Sequence, residues 1–187
     1  YNADGLPDIF TYGLAGISVY AAQINSDSTW SFVLMEDRLD YNGTFGAVNI
    51  LVNSIDIPAI VDVNGDGDMD VLDFDFAGRK VEYFENQSQE LTGSPADTLW
   101  FELASDCWGL FEEDNSSNAI MLEACEGLVA MDKGDEMRQL HTGSTLLALD
   151  MNGDAVHELV VGDVSYGNLV LLENGGTATD ALMISVD

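Results

Sequence analysis

Apolar residues along this chain recur at every second position more often than at every third or fourth. In VLDFDF, residues 71–76, Leu72, Phe74 and Phe76 fall on one side while Val71, Asp73 and Asp75 fall on the other, a period of two that predicts a strand. A short break, AGRK, leads into VEYFEN, a second strand, so the pair reads as a hairpin. LVVGDV, SYGN and LVLLENGG repeat this plan near the end of the chain, and DIFTYG followed by GISVYAAQ repeats it more loosely near the start. WSFVLME (Trp30 to Glu36) and WFELAS (Trp100 to Ser105) are candidates for fourth strands. Helical spacing is not sustained anywhere, and NQSQELTGSPADT reads as a loop. The expected class is all-β.

Each hairpin is preceded by a concentration of acids that an apolar strand pattern does not explain. In DVNGDGDMD, Asp62, Asn64, Asp66 and Asp70 hold places one, three, five and nine of a loop, with Gly67 at place six. Like charges this close repel, so a cation is expected among them. Calcium takes six to eight oxygens, and alternate residues of a tightly curled loop can aim theirs at one centre, with the carbonyl of Asp68 at place seven adding another. Magnesium fits less well because it prefers a smaller octahedral shell rich in water. LDMNGDAVHEL repeats the pattern with Asp150, Asn152, Asp154, the carbonyl of Val156 and Glu158, although Ala155 replaces the glycine and Glu158 the last aspartate. YNADGLPDIF supplies Asn2, Asp4, Gly5, the carbonyl of Leu6 and Asp8 at places three, five, six, seven and nine, with place one falling before Tyr1. The expectation is therefore two complete calcium sites and one truncated one, in a chain that is a piece of something longer. The competing reading of each loop is an Asp/Asn/Gly surface turn without metal.

Composition narrows the function classes. With 187 residues and 47% hydrophobic content the chain can bury a core. Its 34 acidic and 5 basic residues give a formal charge of −29, which repels nucleic acid and anionic lipid. No apolar run reaches the length of a membrane-spanning helix. Cys107 and Cys125, the only cysteines, suggest one disulfide if the protein is exported, with a pair of buried free thiols as the alternative. Neither their spacing nor the two histidines suggests zinc.

The D-x-N-x-D-G-x-x-D loop between short strands, followed by VEYFEN, resembles the FG-GAP or VCBS repeat family, whose members include the propeller of integrin alpha chains. DIPAIVDVNGDGDMDVLDFD and GSTLLALDMNGDAVHELVVGDVSYGNLVLLENGG are also similar to repeats in secreted proteins of gliding Bacteroidetes, many exported by the type IX system. The resemblance implies a calcium-bearing β-propeller of about seven blades, with metal ligands at the loop positions named above and no catalytic residue. On that basis the chain divides into approximate blades 1–45, 46–105 and 142–187, with an insertion at 106–141 carrying both cysteines. Three blades do not close a ring, so further blades of the same polypeptide are expected partners, alongside a surface protein or glycan and the secretion machinery.

The implied function is a non-enzymatic, calcium-stabilised module for adhesion or binding, secreted or displayed at the cell surface. The alternative is the propeller portion of a polysaccharide-degrading lyase or hydrolase, with carboxylate pairs such as Glu112 and Glu113 or Glu36 and Asp37 as acid and base and Trp30, Trp100 and Trp108 stacking on sugars. With so many acids, such pairs arise by chance. A dockerin or EF-hand reading would place Asp73 at the twelfth position, but the residues that follow alternate as strand and not as helix.

Overall fold

A computed structural model describes residues 1–14, 16–93, 99–114, 117–125 and 144–187 of the chain. Among the described residues the protein is all-β apart from one short helix, and its strands form several open sheets. β1 (Ile9–Gly13), β2 (Gly16–Ile24) and β3 (Trp30–Glu36) make a three-stranded antiparallel meander. β6 (Ala59–Val61), β7 (Asp70–Phe74), β8 (Val81–Asn86) and β9 (Phe101–Ser105) make a second meander. The hairpin of β4 (Asp40–Gly43) and β5 (Gly46–Asn49) joins its edge through a parallel pairing of Tyr41 with Phe101, giving a six-stranded sheet. β12 (Ser144–Leu149), β13 (Glu158–Asp163), β14 (Leu169–Asn174) and β15 (Met183–Val186) form the third meander.

The middle strand β7 organises the core because both of its faces are covered. Leu72 and Phe74 join Val81, Tyr83, Leu146, Leu159 and Leu172 in a cluster toward the third meander. Val71 and Phe84 face the other way, onto Ile17, Val19, Leu39 and Ile50 from the first part of the chain. A strand buried on both sides differs from the half-buried one that its alternation suggests. The expected strand also stops short: it ends at Phe74, and Phe76 lies in the following turn with 77% of its surface exposed.

One further expectation is corrected. Within the stretch read as loop, Ser88–Thr92 forms a single helical turn, α1, closed by Gly93 in the left-handed conformation with its N–H bonded to the carbonyl of Gln89. The start of segment 106–141, expected as an insertion, contributes to the core: Trp108 and Phe111 are buried with the inner faces of β7 and β13. Phe111 belongs to β10 (Phe111–Glu113), which pairs with β11 (Ile120–Leu122), and a disulfide joins Cys107 to Cys125 beside this hairpin. From residue 126 the segment lies outside the described residues, as does His141. Among the described residues no helix is long and apolar enough to cross a membrane.

Candidate metal centre

The three acidic loops share one backbone form. Places four and six have positive φ in every copy: Ala3 at 53° and Gly5 at 82°, Gly65 at 82° and Gly67 at 101°, Gly153 at 82° and Ala155 at 68°. Glycine enters this region freely, whereas an L residue pays roughly 1–2 kcal/mol. Keeping the form at Ala3 and Ala155 means the surrounding hydrogen bonds outweigh that strain. Ala155→Gly is accordingly expected to stabilise the protein by about 0.5–1 kcal/mol, after subtracting glycine's larger unfolded-state entropy. A urea midpoint that fell on this substitution would contradict the shared strain.

The side chains explain why the loops curl. Asp62 accepts hydrogen bonds from the N–H groups of Gly65 (2.7 Å), Asp66 (3.1 Å) and Gly67 (3.0 Å). Asp150 accepts the equivalent three from Gly153 (2.6 Å), Asp154 (3.2 Å) and Ala155 (3.0 Å). At place three, Asn2, Asn64 and Asn152 each accept the N–H of the residue two positions on. At place five, Asp4, Asp66 and Asp154 do the same for Leu6, Asp68 and Val156. The N–H donors of Gly153 and its neighbours hold the Asp150 carboxyl below its ordinary range.

Place nine closes each loop. Asp8, Asp70 and Glu158 accept from the nitrogen at place two, that of Tyr1, Val63 (2.8 Å) and Met151 (2.8 Å) respectively. Asp8 and Asp70 also reach forward to the hairpin, accepting from the N–H of Ala22 (2.8 Å) and Asn86 (2.8 Å). Asp70 is fully buried, and its carboxyl is raised to about 7 by burial, which outweighs the two N–H donors that favour the anion.

A second clip was not assigned a role from the sequence, although both strands ending in Glu-Asn carried it in plain view. The side-chain amide of Asn86 donates to the carbonyl of Met69 (3.3 Å), and that of Asn174 to the carbonyl of His157 (3.2 Å), in both cases place eight of the loop. Each side-chain oxygen accepts the N–H two residues on, from Ser88 (3.1 Å) and Gly176 (2.9 Å).

The motif aspartates do not all converge. Among the described residues, the group of three whose carboxylate oxygens lie within 4.8 Å of one another is Asp66, Asp68 and Glu90. Asp62 and Asp70 stand outside it, turned onto backbone donors. Asn64 bridges Asp66 (2.6 Å) and Glu85 of β8 (2.9 Å) through its side-chain amide. Only the carbonyl of Asp68 was expected to matter, yet its side chain is fully buried, with Oδ2 accepting the N–H of Gln89 in α1 (3.0 Å) and Oδ1 without a donor. Burial first, then the charges of Asp66 and Glu90, push the Asp68 carboxyl up to about 7.

The donor set is all oxygen, which suits a hard cation such as calcium and not zinc. A carboxylate offers about four lone-pair positions, so Asp62 and Asp70, with three hydrogen bonds each, retain room for an ion. Of the two carboxylate pairs that could do acid–base work, Glu36 and Asp37 are exposed, and Glu112 and Glu113 have other engagements. Glu112 forms ion pairs with Arg79 and with Lys80 (3.9 Å), and Glu113 is buried with Oε2 accepting from the Ser144 hydroxyl (3.3 Å). Trp108 is a core residue, while Trp30 and Trp100 are about half exposed at 51% and 43%. No family model, curated protein or solved structure matches the chain.

Proposed function

We propose that this chain is part of a calcium-stabilised β-propeller of the FG-GAP or VCBS type, acting as a non-enzymatic binding or adhesion module outside the cell. The observation that carries the reading is the repetition of one unit: a loop with positive φ at places four and six, closed by a carboxylate at place nine, opening into a β-hairpin. Asp62, Asn64, Asp66, the Asp68 carbonyl and Asp70 would hold one ion, and Asp150, Asn152, Asp154, the Val156 carbonyl and Glu158 a second. Asn2, Asp4, the Leu6 carbonyl and Asp8 would contribute to a third. A bound calcium ion neutralises the carboxylates and fixes the loop from which the hairpin starts.

Three features support the wider reading. The disulfide suits an oxidising compartment such as the exterior, which export by a type IX system would reach. Trp30, Phe32 and Leu34 of β3, and Leu169 and Ile184 of the third meander, are exposed apolar residues that further blades of the same polypeptide would cover. The excess of acids favours a protein or glycan ligand over nucleic acid. In a thermal melt, moving from millimolar calcium to excess chelator is expected to lower the midpoint, each lost kcal/mol costing about 2–4 °C at this chain length. Superimposable melts would overturn the proposal.

A further inference from the structure

We propose that Asp66, Asp68 and Glu90 form a second divalent-cation site beside the loop, sharing Asp66 with the motif's ring of oxygens and otherwise outside it, and that its ion clamps α1 to the second loop. One oxygen from each carboxylate lies within 4.8 Å of the others. No side-chain cation serves them among the described residues: Arg38 pairs with Asp40, while Arg79 and Lys80 pair with Glu112. The independent sign of a missing ligand is Asp68, which is 0% exposed yet leaves Oδ1 without a hydrogen-bond donor among the described residues. A buried carboxylate oxygen with no donor is rare unless an ion or water completes it. Three carboxylates this close need protons or a cation between them, and a cation also completes the coordination of the buried Asp68 oxygen.

Two of the three ligands lie outside the side-chain positions of the loop motif. Asp68 contributes its side chain from place seven, where the motif uses only a carbonyl, and Glu90 comes from α1. The third unit acts as an internal comparison: place seven is Val156, and Ala178 stands four residues after Asn174 as Glu90 stands four after Asn86. The third unit therefore keeps the loop and lacks both extra carboxylates. Three hard oxygens with one exposed member, Glu90, leave positions for water and a route of entry, a combination suited to calcium.

Calorimetric titration of the 187-residue chain with calcium chloride tests this, using Glu90→Gln and Asp62→Asn beside the parent. Glu90 is exposed, so its amide variant is expected to fold. Glu90→Gln should weaken one binding event by about tenfold or more, while Asp62→Asn weakens a different one. Hydrogen exchange supplies the second readout: calcium should slow exchange across α1 in the parent and in Asp62→Asn but not in Glu90→Gln. If the motif ring binds nothing and the Glu90-dependent event persists, this site stands and the propeller reading falls. An unchanged Glu90→Gln isotherm, both variants weakening the same event, or no binding at millimolar calcium would each overturn the site.

Discussion

Asp70→Ala is expected to destabilise the metal-free protein by about 3–5 kcal/mol, because it strands buried donors that cost roughly 1–3 kcal/mol each, partly offset by removing a buried charge. The donors are the N–H groups of Val63 and Asn86, both at 2.8 Å, and the Tyr83 hydroxyl at 3.3 Å. One carboxylate thus ties the start of the loop, the end of β8 and the core together. Urea denaturation in excess chelator measures the loss without any contribution from bound ion, and a change below about 1 kcal/mol would show that the loop holds without its last ligand. The pH dependence has opposite signs with and without metal. The folded state keeps the Asp70 proton up to about pH 7, whereas the unfolded chain loses it near its ordinary value, so metal-free stability falls as pH rises through that window. A cation needs the anion, so calcium affinity should rise across the same window.

The loops were legible in the sequence because their chemistry is local. Asx-type bonds span two to five residues, so the spacing of Asp62, Asn64 and Asp66 determines them before any tertiary contact forms. Alternation likewise disclosed β7, β8, β13 and β14. What escaped depends on partners distant in the chain. The burial of Val71 and Asp73 follows from the elements stacked on both sides of β7, and alternation cannot say whether a polar position meets water or another layer. The helical turn at Ser88–Thr92 is too short for a periodic signal, and its start is held by the Asp68 carboxylate, 21 residues before Gln89. Glu90 was invisible as a site residue for the same reason. The burial of Trp108 and Phe111 depends in the same way on β7 and β13, which lie far from them in the chain.

Asp73→Asn is expected to remove a pH dependence that the parent carries, making the variant the more stable protein at neutral pH. Asp73 lies in β7 opposite Glu82, is 2% exposed, and among the described residues its carboxylate oxygens lack a well-formed hydrogen bond, with the neighbouring N–H of Phe74 giving the anion only weak support. Burial pushes its carboxyl well above the ordinary range, and the charges of Asp56, Glu82 and Asp75 push the same way. Glu82 is itself raised to about 7, chiefly by burial. A folded pKa above the unfolded one means that the folded protein holds the extra proton, so this residue costs nothing below about pH 4 and costs up to about 1.4 kcal/mol for each pH unit above it, until the folded group ionises. Asparagine keeps the shape without the titration. Parent and variant should therefore agree to within about 1 kcal/mol near pH 4, since a buried neutral acid and a buried amide carry similar costs, and diverge progressively in the variant's favour as pH rises toward neutral. Taking the difference between the two urea-derived stability curves cancels the titrating groups that do not interact with Asp73, provided chelator is present throughout, and leaves Asp73 together with its neighbours Asp56, Glu82 and Asp75. Curves that run parallel from pH 4 to pH 8 would mean that the Asp73 charge is met by a partner in solution, and the burial of an uncompensated carboxylate at the centre of β7 would have to be abandoned.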